Sequence, residues 1–243
     1  MRIKIINPNT TQEMTVSIYH AACRVARSDT EITAVSPEKG PVSVESFHDE
    51  YAAALGVMEE IHKGLSENFD AYIIACYGDP GLYAAREIAT APVVGIAEAS
   101  MYVASMLAAK FSIITDLARS RLGLEELVHR YGMTGKCASI RDSGIAVLGF
   151  EEDPSASLQQ LAELSRKAVE EDRAEAICLG CAGMVDFAAQ LEKDLGVPVI
   201  DGVTAAVKMA ESLVDLRKKT SKVLYFAPPE KKEYKGFPAI LQP

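Results

Sequence analysis

The sequence predicts an α/β protein built as two similar lobes, each a parallel sheet flanked by helices and related by a pseudo-twofold axis. Three observations predict this. Short β-branched runs alternate with amphipathic segments along the chain, the second half repeats the order of the first, and 49% hydrophobic with 24% charged residues is the balance of a globular protein. Strand-helix alternation implies parallel strands covered on both faces, which gather ligands at their carboxyl ends. At 243 residues the chain is long enough for two such cores.

The elements follow in order. IKII at 3–6 opens the first sheet; it follows the initiating Met with no apolar signal core, and no run of 18 apolar residues occurs, so a cytoplasmic protein without membrane contact is expected. ITAVSP at 32–37, AYIIAC at 71–76, PVVGI at 92–96, FSIIT at 111–115, AICLG at 176–180 and PVID at 198–201 read as further strands. Segments 51–64, 81–90, 98–109, 118–131, 157–172, 183–195 and 203–216 read as helices. The expected lobes are 1–97 and 98–205, with 206–243 returning to the first lobe as a helix and polar tail.

The repeat is the informative feature. DAYIIACYGDPGLYAAREIATAPVVGIAEAS, from Asp70, lies over AEAICLGCAGMVDFAAQLEKDLGVPVIDGVTAA, from Ala174, with one residue of slippage. Cys76 falls on Cys181, Gly78 on Gly183 and Pro92 on Pro198, while RIKIINPN resembles KFSIITDL and sets Asn7 near Thr115. A lone free cysteine usually packs as a small apolar residue. Two at equivalent lips, each followed by x-Gly and a helix, face one another if the lobes are related by a twofold. The helix N-terminus and nearby N–H groups are then expected to favour thiolate. Opposed thiols suit one reaction class: one removes a proton from a carbon beside a carbonyl and the other returns a proton to the opposite face.

Other readings have less support. A net charge of -9, with no Lys/Arg run interleaved with aromatics, argues against nucleic acid. CLGC at 178–181 has no partner motif to complete a structural zinc set, and Cys178 falls inside a strand. Cys23, Cys137 and Cys178 read as buried packing residues; the four histidines share no ligand spacing, and GDPG lacks the phosphate-loop pattern. No metal and no cofactor is expected. A decarboxylase or cis-trans isomerase on this scaffold, and a non-catalytic two-lobed binding protein, remain as alternatives.

INPNT at 6–10, GPVSVES at 40–46, ACYGDPG at 75–81, GIAEASMYVASMLAAKFSIIT at 95–115, LGCAGM at 179–184 and GVPVIDGVTAAVKMAE at 196–211 resemble the hydantoin racemase branch of the aspartate/glutamate racemase superfamily, which includes allantoin racemases. The resemblance covers nearly the whole chain. It implies two Rossmann-like lobes, a cleft between them, a homo-oligomer, and a cofactor-independent racemase with Cys76 and Cys181 as acid and base. It places Asn9, Gly78, Thr115 and Gly183 on the substrate, with Ser43 and Val44 closing over the ring and Asp79 and Ala182 among the contacts. None of these motifs brings Arg or Lys to the cleft, so an uncharged cyclic ureide fits better than a dicarboxylate. Its C5 proton lies between a carbonyl and a ring nitrogen, and N–H donors at the lips would hold the developing oxyanion, each worth about 3 to 4 kcal/mol. Hydantoins with varied C5 groups rank ahead of allantoin alone; the stretch 45–60 is the expected wall for that group, and His48 and Asp49 are candidates for a ureido substituent.

Overall fold

A computed structural model describes residues 1–242. The first sheet is formed by β1 (Arg2–Ile6), β2 (Glu31–Val35), β3 (Ala71–Ile74) and β4 (Val93–Gly95), all parallel, in the order β2-β1-β3-β4. Its central strands are buried and β-branched, as a sheet covered on both faces requires. The covering helices are α1 (Gln12–Val25), α2 (Phe47–Leu65) and α3 (Leu82–Ile88); α4 (Ile96–Leu107), which follows β4, packs mainly on the second sheet.

The second sheet repeats the plan. β5 (Phe111–Thr115), β6 (Cys137–Asp142), β7 (Ala176–Leu179) and β8 (Val199–Asp201) are parallel in the order β6-β5-β7-β8. Around them lie α5 (Ser120–Arg130), the short α6 (Gly149–Glu152), α7 (Pro154–Glu170) and α8 (Ala188–Leu195), while α9 (Gly202–Asp215), which follows β8, packs back on β3 and β4 of the first sheet. The internal similarity of the sequence is therefore a similarity of topology. Register carries it to single residues: Ile6 pairs with Ile74 in one sheet and Ile114 with Leu179 in the other.

Helix starts follow local chemistry. Ser46 caps α2 by accepting the Asp49 N–H, and Asp49 in return accepts from the Ser46 hydroxyl and the Glu45 N–H. Asp153 caps α7, with Pro154 at the first helical position. Asp201 caps α9 by accepting the Thr204 N–H at 2.8 Å. Its repeat equivalent is Gly95, which carries no side chain to cap α4. Asp79, from the GDPG turn, supplies that cap instead, accepting the Ala97 and Glu98 N–H groups at 3.2 and 3.0 Å. A Cβ on Gly95 would overlap the Asp79 carboxylate, so glycine here makes room for a cap borrowed from a neighbouring turn.

Four differences from the sequence reading have physical causes. α1 was not expected: Thr15, Val16 and Ile18 give it a β-like composition, and the repeating burial of Met14, Ile18, Ala21 and Ala22 fixes it as helix. β6 was not expected because it is an edge strand with only Ile140 buried, so it has no alternating pattern. The helix expected from 183 begins as a tight 3₁₀ turn, Ala182–Phe187, before α8. Cys23 is exposed rather than packed, whereas Cys178 is buried within β7 with its thiol toward the Ser100 carbonyl. Beyond α9 the chain runs along α3: the Thr220 N–H donates to the Thr90 carbonyl, Lys222 donates to the Glu87 carbonyl, and the Phe226 ring meets Tyr83 edge-on.

Candidate active site

The carboxyl ends of β1, β3, β5 and β7 converge on one cleft between the lobes, as expected for strands followed by ligand-binding turns. It is a narrow cleft, partly open to solvent. Cys76 and Cys181 both line it, each two residues beyond the end of its strand. Asn9, Val44, Gly78, Thr115 and Ala182 line it too.

Each thiol is backed by the glycine two residues on, whose N–H is directed at the sulfur. These are the equivalent x-Gly positions of the repeat. The expected preference for thiolate is not what the site produces, however. Burial pushes Cys76 up to about 12, and the charges of Glu50, Asp79 and Asp116 add to it against the Gly78 N–H. Burial raises Cys181 well above the usual thiol range, with Asp116 and Cys76 adding to it against the Gly183 N–H. No regular helix starts at either lip to offset this: α3 begins only at Leu82, and the chain after Cys181 enters a 3₁₀ turn. Both cysteines rest as thiols, and the negative charge of one disfavours ionisation of the other.

The amide of Asn9 is held by its own loop. Its Oδ1 accepts from Asn7 Nδ2 and the Thr11 N–H at 2.8 and 2.9 Å, leaving Nδ2, 3.2 Å from the Met14 sulfur, as the group that can face a ligand. Thr115 donates to Asp116 Oδ1 at 3.2 Å. The 40–46 loop is tied to INPNT by the Thr10 N–H on the Pro41 carbonyl at 3.0 Å, and reaches the other lobe where Glu45 Oε1 accepts the Val147 N–H at 3.0 Å. Loop and opposite lobe thus share one wall of the cleft.

Ser43, Asp79 and Gly183 do not line the cleft. Asp79 is buried beneath it, where its carboxylate caps α4 and accepts the Tyr131 hydroxyl from α5 at 2.7 Å. Gly183 stands behind Cys181; a Cβ there would lie 3.7 Å from its sulfur. His48 is a surface side chain, 94% exposed, and Asp49 is spent on the α2 cap. The expected wall at 45–60 contributes Glu45, Ser46, Phe47 and Glu50, whereas Arg119, Ser120 and Gly123 at the start of α5, and Val147, line the cleft without having been expected there. The cleft thus has one arginine after all, on its exposed rim. No local signal marks these second-lobe residues, which reach the cleft through the packing of that lobe against the first.

Comparison with known proteins agrees with this geometry. The family model for Asp/Glu/hydantoin racemases matches residues 3–210. A hydantoin racemase from Pseudomonas sp. (strain NS671) is 60% identical over 97% of this chain and 95% of its own, and one from Paenarthrobacter aurescens is 47% identical over 96% and 100%. An allantoin racemase from Klebsiella pneumoniae superposes with a TM-score of 0.95 at 48% identity, over 97% of this chain and 96% of its own. With a duplicated lobe, a thiol at each equivalent lip and likeness along nearly its full length, the chain belongs to the Asp/Glu/hydantoin racemase family.

Proposed function

We propose that this protein racemises 5-substituted hydantoins without a cofactor, with Cys76 and Cys181 as the two acid/base groups. The observation that carries this is that both thiols line a single cleft on equivalent turns, each backed by the N–H of the following x-Gly. A thiolate on one side abstracts the C5 proton, and the electron pair delocalises onto the neighbouring carbonyl oxygen. The opposite thiol then protonates C5 from the other face, the enolate collapses to the carbonyl, and thiol and thiolate have exchanged places. Reversal needs only the exchanged roles, so neither enantiomer is privileged.

The relatives support the substrate class, since a hydantoin racemase is 60% identical to this chain and a solved allantoin racemase, a related cyclic-ureide enzyme, is 48% identical. The cleft supports it independently: an amide, hydroxyls and the carboxylates of Glu45, Glu50 and Asp116 line it, and the arginine stands at the rim, a poor match to a dicarboxylate. All five cysteines are free, which supports a reducing cytoplasmic setting. Exposed apolar side chains such as Met106 and Tyr51, 75% and 76% exposed, support assembly as a homo-oligomer.

The test follows loss of optical activity, and deuterium entry at C5 in D2O, for each enantiomer separately. Cys76→Ser and Cys181→Ser are each expected to lower racemisation by at least about 10²-fold to 10⁴-fold. Each variant should still exchange C5 hydrogen in one enantiomer, with retention, through the remaining thiol. Binding without exchange in the wild type would make the protein a binding module, and full racemisation by either variant would remove the two-thiol mechanism.

A further inference from the structure

The acidic residues of the cleft are not equivalent. Glu45 is occupied by the Val147 N–H and Asp116 by the Leu117 N–H and the Thr115 hydroxyl. Glu50 differs: among the described residues no donor hydrogen-bonds its carboxylate, although most of its surroundings are protein, and burial holds its pKa up to about 7. The side chain lies over Gly78, where a Cβ would come within 2.5 Å of its Oε1. It therefore stands beside the Cys76 turn and needs no movement to reach a bound ring.

Glu50 is also shared by two cavities. Beside the catalytic cleft lies a second hollow between α2 and α5, and Phe47, Glu50, Gly78 and Gly123 line both. The far side of that hollow carries Tyr51, Glu126 and Arg130. A ring held between the thiols has only one group that varies between substrates, the one at C5, and the hollow adjoins the cleft on the Cys76 side, with the Glu50 and Phe47 side chains at the boundary. We infer that this hollow receives the C5 substituent and that the Glu50 carboxylate, left without a protein donor, accepts hydrogen bonds from substituents bearing N–H groups. The subsite rests on the racemase reading and adds selectivity to it. Two kinds of substituent carry such donors: a neutral urea, as in allantoin, and an ammonium at the end of an alkyl chain.

The experiment measures kcat/KM for racemisation of three hydantoins, bearing ureido, aminobutyl and isobutyl groups at C5, with wild type, Glu50→Leu and Glu50→Gln. Thermal unfolding of each variant accompanies the assays. Leucine removes the acceptor, so the ratio of kcat/KM for a donor-bearing substrate to that for the isobutyl one should fall about tenfold or more, as expected when a site built to accept a hydrogen bond loses it. Glutamine keeps a neutral acceptor and separates the sources: it should preserve most of the preference for the ureido group but not for the ammonium. Ratios that stay within about twofold in Glu50→Leu overturn the subsite. So does an equal loss for all three substrates, which would tie Glu50 to the proton chemistry of Cys76 instead. A wild-type protein that racemises none of them overturns the racemase reading, and the subsite with it.

Discussion

In the proposed mechanism, two sulfurs that both prefer to stay protonated make a workable pair because only one of them has to ionise. Burial holds the Cys76 thiol up to about 12 and Cys181 above its usual range, and each would feel the other's charge across the cleft. Loss of one proton therefore makes the second harder to lose, which favours a mixed thiol/thiolate state over a doubly ionised one. The active fraction in the free enzyme is small at neutral pH and grows about tenfold per pH unit while the pH lies below the lower thiol pKa. We therefore expect kcat/KM to climb between pH 7 and about 9.5 with no plateau, in initial rates corrected for spontaneous racemisation. A plateau below pH 8 would mean that one thiol of the free enzyme ionises far more readily than its burial implies. Stability moves the other way: the folded state keeps protons that the unfolded thiols lose near about 8.5, so these groups leave stability intact below that pH and erode it as pH rises toward about 12. Cys76 and Cys181 were legible in the sequence because duplication marks them twice. The missing thiolate preference was not, since desolvation depends on what covers the sulfur, and those covering residues come from distant segments.

At the scale of elements, the cap on α4 couples helix stability to the placement of Cys76. In the second lobe Asp201 caps its own helix; in the first, that position is Gly95 and the carboxylate comes from Asp79, three residues after Cys76. Asp79 also holds Tyr131 of the other lobe, so a single buried carboxylate fixes a helix start, the Cys76 turn and α5. Asp79→Ala should destabilise the protein by about 1 to 3 kcal/mol, from an uncapped helix and an orphaned buried hydroxyl, and should also lower kcat. The double variant Asp79→Ala/Gly95→Asp separates the two effects. Gly95 has extended backbone, φ -86° and ψ 145°, which aspartate adopts without strain, and the deletion vacates the space its side chain needs. Denaturant unfolding should show stability largely restored while kcat stays low, because the turn remains untethered. Recovery of both would reduce Asp79 to a cap. The fold was legible wherever a strand is buried on both faces, as in β1, β3, β5 and β7. It was illegible at β6, whose edge position leaves it half-polar, and at α1, where β-branched residues are overruled by packing.

The molecule as a whole depends on how its two lobes meet, and the repeat says where to look. α4 follows the last strand of the first sheet and α9 the last strand of the second, so they are repeat equivalents, and they pack against each other. Under the alignment of Pro92 with Pro198, Ile96 is equivalent to Gly202. In the structure these two are in contact, as residues close to a twofold axis must be. The contact is asymmetric in size. A Cβ on Gly202 would lie 2.6 Å from the Ile96 carbonyl oxygen and 2.8 Å from its Cβ, so two isoleucines could not share the axis, and one lobe has yielded its side chain. Because the obstructing atom is backbone, a rotamer change cannot relieve an added methyl; the helix starts must separate. Gly202→Ala should therefore cost about 1 to 3 kcal/mol despite alanine's better helix propensity. As α9 also packs on β3 and β4, separation should move the lobes relative to each other and widen the distance between the two thiols. The expected outcome is a lower denaturant midpoint in one cooperative transition, together with a fall in kcat for both enantiomers alike, since the spacing serves both directions of proton transfer. An unchanged midpoint would show that the α4/α9 contact has slack. A loss confined to one enantiomer would place the displacement within a single lobe instead of at the axis between them.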